Sequence, residues 1–163
     1  MRVRHDFSGG LSKAQIENIV WTVTRSIADI RDHLRKWASA HGHDKDAVDR
    51  VIADFFELAL VMDLANFDKH GSHDRNGGRS KAFPRLQNVS RRAMVSGTGM
   101  PPGGVVGMNI GLHGVTTIGA DRAAIVASGD IVLQDGRVLD LEAVQQKALA
   151  AWEGLFSLFR LTA

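Results

Sequence analysis

SKAQIENIVWTVTRSIADIRDHLRKWASAHGHDKDAVDRVIADFFELALVMDLANFDKHG, residues 12–71, carries two amphipathic helices separated by one tight turn. Ser12 followed by Gln15 is a capping box, in which each side chain satisfies a backbone donor that the first helical turn leaves unpaired. Ile16, Ile19, Val20, Val23, Ile27, Ile30, Leu34 and Trp37 then recur at steps of three and four residues and form one apolar stripe. Gly42, between His41 and His43, can take the left-handed conformation that stops a helix, and Asp44 can cap the next one at once. That helix is expected over residues 45–69, with Val48, Val51, Ile52, Phe55, Leu58, Ala59, Met62 and Ala65 buried and Gly71 as its stop. Neither stripe can be buried alone, so so short a connection forces the pair into an antiparallel hairpin, residues 12–70.

On the N-terminal side, residues 1–11 are expected to be a tail; Arg2, Arg4, His5 and Asp6 replace the apolar run of a secretory leader. Beyond Gly71 the helical period ends, and residues 71–139 are expected to be basic and glycine-rich loops with short strands. β-prone runs fall at 83–95, 115–118, 123–127 and 131–134, and Asp135-Gly136 suits a tight turn into 137–139. Gly104, Gly107, Gly111 and Gly114, interleaved with Val105, Val106, Met108, Ile110 and Leu112, mark an apolar arm or a kinked edge strand. Asp140 caps a last helix within 140–163, where Leu141, Val144, Ala148, Trp152, Leu155 and Phe159 repeat at helical spacing. The expected fold is therefore a single α+β domain, residues 1–163: a long antiparallel helical hairpin, a small antiparallel β-sheet and a C-terminal helix.

The chain has no cysteine, which excludes disulfide frameworks and thiolate metal sites and fits a reducing, cytoplasmic setting. Charges interrupt every apolar helix, so no run approaches the roughly 18 apolar residues of a membrane span, and no membrane partner is expected. The net charge of +2 is unevenly spread. Residues 44–68 sum to −5, whereas residues 69–92 sum to +6, with Lys69, Arg75, Arg79, Lys81, Arg85, Arg91 and Arg92 against Asp74 alone. Such a basic segment can neutralise nucleic-acid phosphates and release their counterions. Phe83 is its one aromatic, so contact is expected with backbone phosphates and not with particular bases. The alternative destination is the acidic helix of the same chain or of a dimer partner.

Functional side chains are densest where the second helix ends. Asp63, Asn66 and His70, three and four residues apart, put a carboxylate, an amide and an imidazole on one face. Such a row can act as acid and base on a phosphodiester. His70 with His73 and Asp74 can instead hold a divalent metal, and a histidine in a last helical turn can simply favour the helix dipole. No cofactor is required by the sequence, and its identity, if any, stays open.

The run Asp63-Leu-Ala-Asn66-Phe-Asp-Lys69-His70 resembles the D-x-x-N-x-x-K-H signature of uncharacterised bacterial proteins that are loosely similar to the HEPN helical-bundle superfamily. The resemblance extends to a following basic loop, an aspartate-glycine hairpin and a last helix with a Trp-Glu pair, here Trp152-Glu153. It implies a helical bundle that engages RNA. HEPN ribonucleases place an arginine ahead of the histidine, where this chain has Asp63, Leu64 and Ala65; the pair with that spacing is Arg35 with His41. The leading expectation is a nucleic-acid-associated HEPN-like domain, with RNA held through phosphates and a phosphodiesterase row at Asn66 and His70. The rival is a non-catalytic interaction protein that forms a homodimer through the hairpin or the glycine-rich arm.

Overall fold

The capping box at Ser12 forms in full: its N–H donates to Gln15 Oε1 (2.7 Å), and Gln15 N–H donates to Ser12 Oγ (3.3 Å). It opens helix α1 (Lys13–Ala40). The structure, a computed structural model, describes residues 2–5, 12–72, 77–96, 107–111, 114–118 and 122–161; for 2–5, 91–96, 107–111, 114–118 and 122–126 the description is of the backbone. Gly42 takes φ +72° past the end of α1, and His43 N–H reaches back to the Ala38 carbonyl (2.8 Å), the long bond of a Schellman ending. Rings lock this turn: His41 and His43 both stack on Trp37, with centroids 4.4 and 5.0 Å away, and Phe159 from the far end of the chain lies against His43.

The second arm is not the single helix expected over 45–69. Phe55 is extended (φ −114°, ψ 105°) and divides it into α2 (Asp46–Asp54) and α3 (Phe56–His70). The ion pairs give the consequence. Asp49 of α2 meets Arg31 and Arg35 of α1, while Asp68 and Lys69 at the end of α3 meet Arg25 and Asp29. A straight antiparallel arm would carry Asp68 to the neighbourhood of Ala14, so the bend turns α3 across α1. The physical reason is α3 itself: every residue from Leu58 to Ala65 is buried, and a helix apolar all round belongs inside. There it packs against both α1 and the last helix. Phe55, at the bend, is 47% exposed and not part of the core as expected.

Ile16, Val20, Ile27 and Leu34 of α1 are buried as the stripe predicts, but Ile19 and Val23 are 43% and 42% exposed. The contact face is centred on Val20, Thr24, Ile27 and Ala28, which places those two on its flank. Thr24 is tolerated inside because its hydroxyl donates to the Val20 carbonyl (2.8 Å) and accepts from Gln145 (3.1 Å).

Two antiparallel three-stranded sheets are described, where one was expected. Strands β1 (Arg2–His5), β3 (Gly107–Gly111) and β4 (Gly114–Ile118) form a sheet in the order β1-β4-β3. Thus residues 2–5 are a strand and not tail, and the glycine-rich arm contributes a true edge strand. The other sheet has the order β2-β5-β6, from β2 (Arg85–Ser96), β5 (Arg122–Val132) and β6 (Val138–Asp140). β5 merges two of the predicted runs into one strand. Between Gln87 and Ser90 the ladder with β5 slips, so that Asn88 and Val89 face Gly129 alone. Asn88, at φ +51°, anchors this bulge by donating to Asp130 (2.8 Å). The Asp135-Gly136 turn forms, with Gly136 at φ +86°, and Asp140 accepts from Ala143 N–H (3.0 Å) to cap α4 (Leu141–Leu158). No helix among the described residues is long and apolar enough to cross a membrane.

α4 is tied to the bend by Lys147, which donates to Glu57 (2.7 Å) and holds its carboxyl below the ordinary glutamate value. A carboxyl with a lowered folded pKa contributes stability above its unfolded value and loses it as pH falls through the folded one. A Glu57→Gln and Lys147→Ala double-mutant cycle should therefore give a coupling below about 1 kcal/mol at neutral pH, since Lys147 is largely exposed, and none in strong acid. An equal coupling at both would contradict the assignment.

Candidate functional site

The row Asp63, Asn66 and His70 does not form one open constellation. Asp63 is 3% exposed, and its carboxylate accepts from Arg79 N–H (2.8 Å), Ser80 N–H (2.8 Å) and Ser80 Oγ–H (2.6 Å). Gly78, at φ +73°, lies so close that a Cβ there would sit 2.2 Å from Oδ1. Both oxygens are thus committed to holding the loop after α3 on the helix. Asn66 and His70 are exposed about one and two turns further on, where Gly71 (φ +68°) ends α3 as predicted. His73, Asp74 and Arg75 lie outside the described residues. Among the described residues no three His, Asp or Glu side chains are grouped to hold a metal ion. Arg35 and His41 have separate partners: Arg35 binds the Asp49 carboxylate, and His41 presents Nδ1 to the Trp37 carbonyl (2.8 Å) while stacking on its ring.

The basic segment divides by what its cations face. Lys69 is paired with Asp29 (3.3 Å), and Arg79 reaches Asp49 (3.5 Å), where Arg31 and Arg35 also converge. Partial burial, with Arg31 nearby, pulls the Arg79 pKa below the ordinary arginine value. Arg79 therefore takes the route of a basic loop laid on the acidic arm of its own chain. Lys81 and Arg85 differ: both are exposed, and neither has an ion pair among the described residues. Arg91 and Arg92 lie further along β2, where the backbone alone is described.

Lys81 and Arg85 line two adjoining depressions. One, about 360 Å³, is walled by Ser80, Lys81, Gln134, Asp135 and Arg137. The other, about 250 Å³, is walled by Phe83, Arg85, Gln87, Val132, Leu133 and Gln134. Gln134 belongs to both, and its N–H donates to the Ala82 carbonyl (2.9 Å), which fastens the turn between β5 and β6 to the loop. The loop is strained there: Lys81 and Phe83 have φ +56° and +48°, in the region that L side chains seldom occupy. The Phe83 ring packs on Gly77, where a Cβ would lie 2.6 Å from Cε2. Gln134 and Arg137 were not among the predicted contact residues. Their one sequence signal is their position beside the Asp135-Gly136 turn, and only the β5–β6 hairpin brings that turn to residues 80–85.

A cation can thus act here on an anion in two ways, as a free point charge from Lys81 or as a fork from Arg85. Arg137 is already engaged by Asp135 (2.7 Å) and lies over the Phe56 ring, with 5.7 Å from the guanidinium carbon to the centroid. No family model matches this chain, and neither the curated proteins nor the solved structures contain a match to it.

Proposed function

We propose that the chain is a nucleic-acid-associated helical domain that contacts RNA phosphates through the segment following α3. What supports this reading is that neither Lys81 nor Arg85 has an ion pair among the described residues, and both stand at open depressions beside an edge strand. Cations that are already paired gain little from a phosphate, because they must first release a carboxylate. Free exposed cations release only solvent and counterions. Lys81→Gln with Arg85→Gln should therefore weaken binding of unrelated RNA sequences about equally and leave the melting temperature unchanged. Arg79→Gln should do the reverse, lowering stability with a smaller effect on affinity. Binding titrations on several RNA sequences, run beside thermal melts, check both; wild-type protein that binds no RNA at low salt removes the proposal.

The phosphodiesterase form of the reading rests on Asn66 and His70, which are exposed together at the end of α3. If His70 exchanges the proton, His70→Lys abolishes cleavage while RNA affinity and fold persist, because lysine does not titrate near neutrality. Asp63 is better described as the anchor of the loop that carries Lys81.

One observation favours the interaction-protein reading. Ile19 and Val23 stand one turn apart on the exposed flank of α1, an apolar pair suited to a second copy of the hairpin. Under that reading Ile19→Asp with Val23→Asp halves the solution mass and leaves the monomer folded.

A further inference from the structure

Three guanidinium groups converge on the one carboxylate of Asp49. Its Oδ1 meets Arg31 Nε (2.9 Å) and Arg79 Nη1 (3.5 Å), and its Oδ2 meets Arg35 Nη1. Asp32 and Asp46 add a second contact each, to Arg31 (2.9 Å) and Arg35 (3.8 Å), but these two carboxylates are 67% and 66% exposed, where water screens them. Arg79 has no second ion pair among the described residues, shares its oxygen with Arg31 at the longer distance, and is the most exposed of the three arginines. The loop that carries it does not need this contact to keep its place. The backbone N–H groups of Arg79 and Ser80 are held by Asp63, so the Arg79 side chain can exchange its partner while the loop stays on α3.

We infer that Asp49 is an autoinhibitory carboxylate, which withholds Arg31, Arg35 and Arg79 from RNA phosphates and loses Arg79 first to a phosphate bound beside it. This rests on the RNA reading above and deepens it by naming a control on the same surface. Arg79 stands two residues before Lys81, so the withheld cation adjoins the exposed one. A phosphodiester and a carboxylate each carry one negative charge, so an arginine that changes from one to the other gains little while the carboxylate is present. Without the carboxylate, the same arginine gains a partner outright. Arg79, set among Arg31 and Arg35 and partly buried, has its pKa lowered by that burial first and then by Arg31, which is the mark of a cation short of counter-charge.

The test measures binding of a uridylate octamer beside thermal melts. One added phosphate contact should make Asp49→Asn bind roughly fivefold tighter than wild type at about 0.1 M salt and steepen its salt slope by about 0.7. Asp54→Asn makes the same change in net charge at an exposed carboxylate with no ion pair among the described residues, and should bind nearly as wild type does. Asp49→Asn with Arg31→Gln leaves net charge unaltered and relieves repulsion among the arginines. It should still bind tighter than wild type, and it replaces the single variant if that one does not fold. Adding Arg79→Gln to either should abolish the gain. In wild type, the Arg79 Nε–H signal should move more than that of Arg31 in an NMR titration with the octamer. A folded variant lacking Asp49 that binds no tighter, an equal gain from Asp54→Asn, a gain that survives Arg79→Gln, or an Arg79 signal unmoved at saturation overturns the autoinhibitory role and leaves RNA binding standing. Wild-type protein that binds no octamer at low salt overturns both.

Discussion

Replacing Trp152 with alanine should destabilise the protein by about 3–5 kcal/mol, the cost usual for removing a large aromatic side chain from a packed interior. Trp152 is fully buried, and its indole N–H donates to the Ile27 carbonyl of α1 (3.0 Å). It therefore joins the last helix to the middle of the first, next to the second tie that Gln145 makes with Thr24. Trp152→Phe separates packing from hydrogen bonding: the ring volume is largely kept, and the loss should fall to about 1–2 kcal/mol. Chemical denaturation measures both, and an unchanged midpoint for Trp152→Ala would show that α4 does not hold the helices together.

Gly78→Ala is expected to be unusually costly for so small a change. A side chain at φ +73° is strained by roughly 1–2 kcal/mol. Its Cβ would also displace the Asp63 carboxylate from the backbone donors of Arg79 and Ser80, each worth about 1–3 kcal/mol when left buried and unpaired. Asp63→Ala should produce the second part of that loss without the first. The two changes should consequently not add: in an Asp63→Ala background, Gly78→Ala should cost only its backbone strain. Strict additivity would mean that the close approach of Gly78 to Asp63 is not what fastens the loop.

The two predictions act on features of different legibility. Capping by Ser12, Gly42, Gly71 and Asp140 could be read from sequence because each depends on neighbours within a few residues. The C-terminal stripe from Leu141 to Phe159 is likewise local and entirely buried. The bend at Phe55 could not be read in the same way. Residues 45–69 have an unbroken helical period, and the break follows from the demand that α3 be covered on all sides by helices far away in the chain. Strand β1 holds a single apolar residue, Val3, so its pairing with β4 has no counterpart in local pattern. At the end of α3 the spacing of Asp63, Asn66 and His70 is local to one helix, but what Asp63 holds depends on Gly78 and Ser80, beyond the helix end. Charge patterning located the basic segment and its acidic counterpart; which cations were free depended on where Asp29 and Asp49 stood in three dimensions.

The central claim is that Lys81 and Arg85, which have no ion pair among the described residues, contact RNA phosphates, and the salt dependence of RNA affinity tests it most directly. Each phosphate contact on a single strand contributes about 0.7 to the slope of log affinity against log salt concentration. Lys81→Gln with Arg85→Gln should therefore flatten the wild-type slope by about 1.4, whereas Lys69→Gln, which removes a cation already paired with Asp29, should leave it nearly unchanged. A slope unaltered by the double substitution, or one altered as much by Lys69→Gln, would contradict the account.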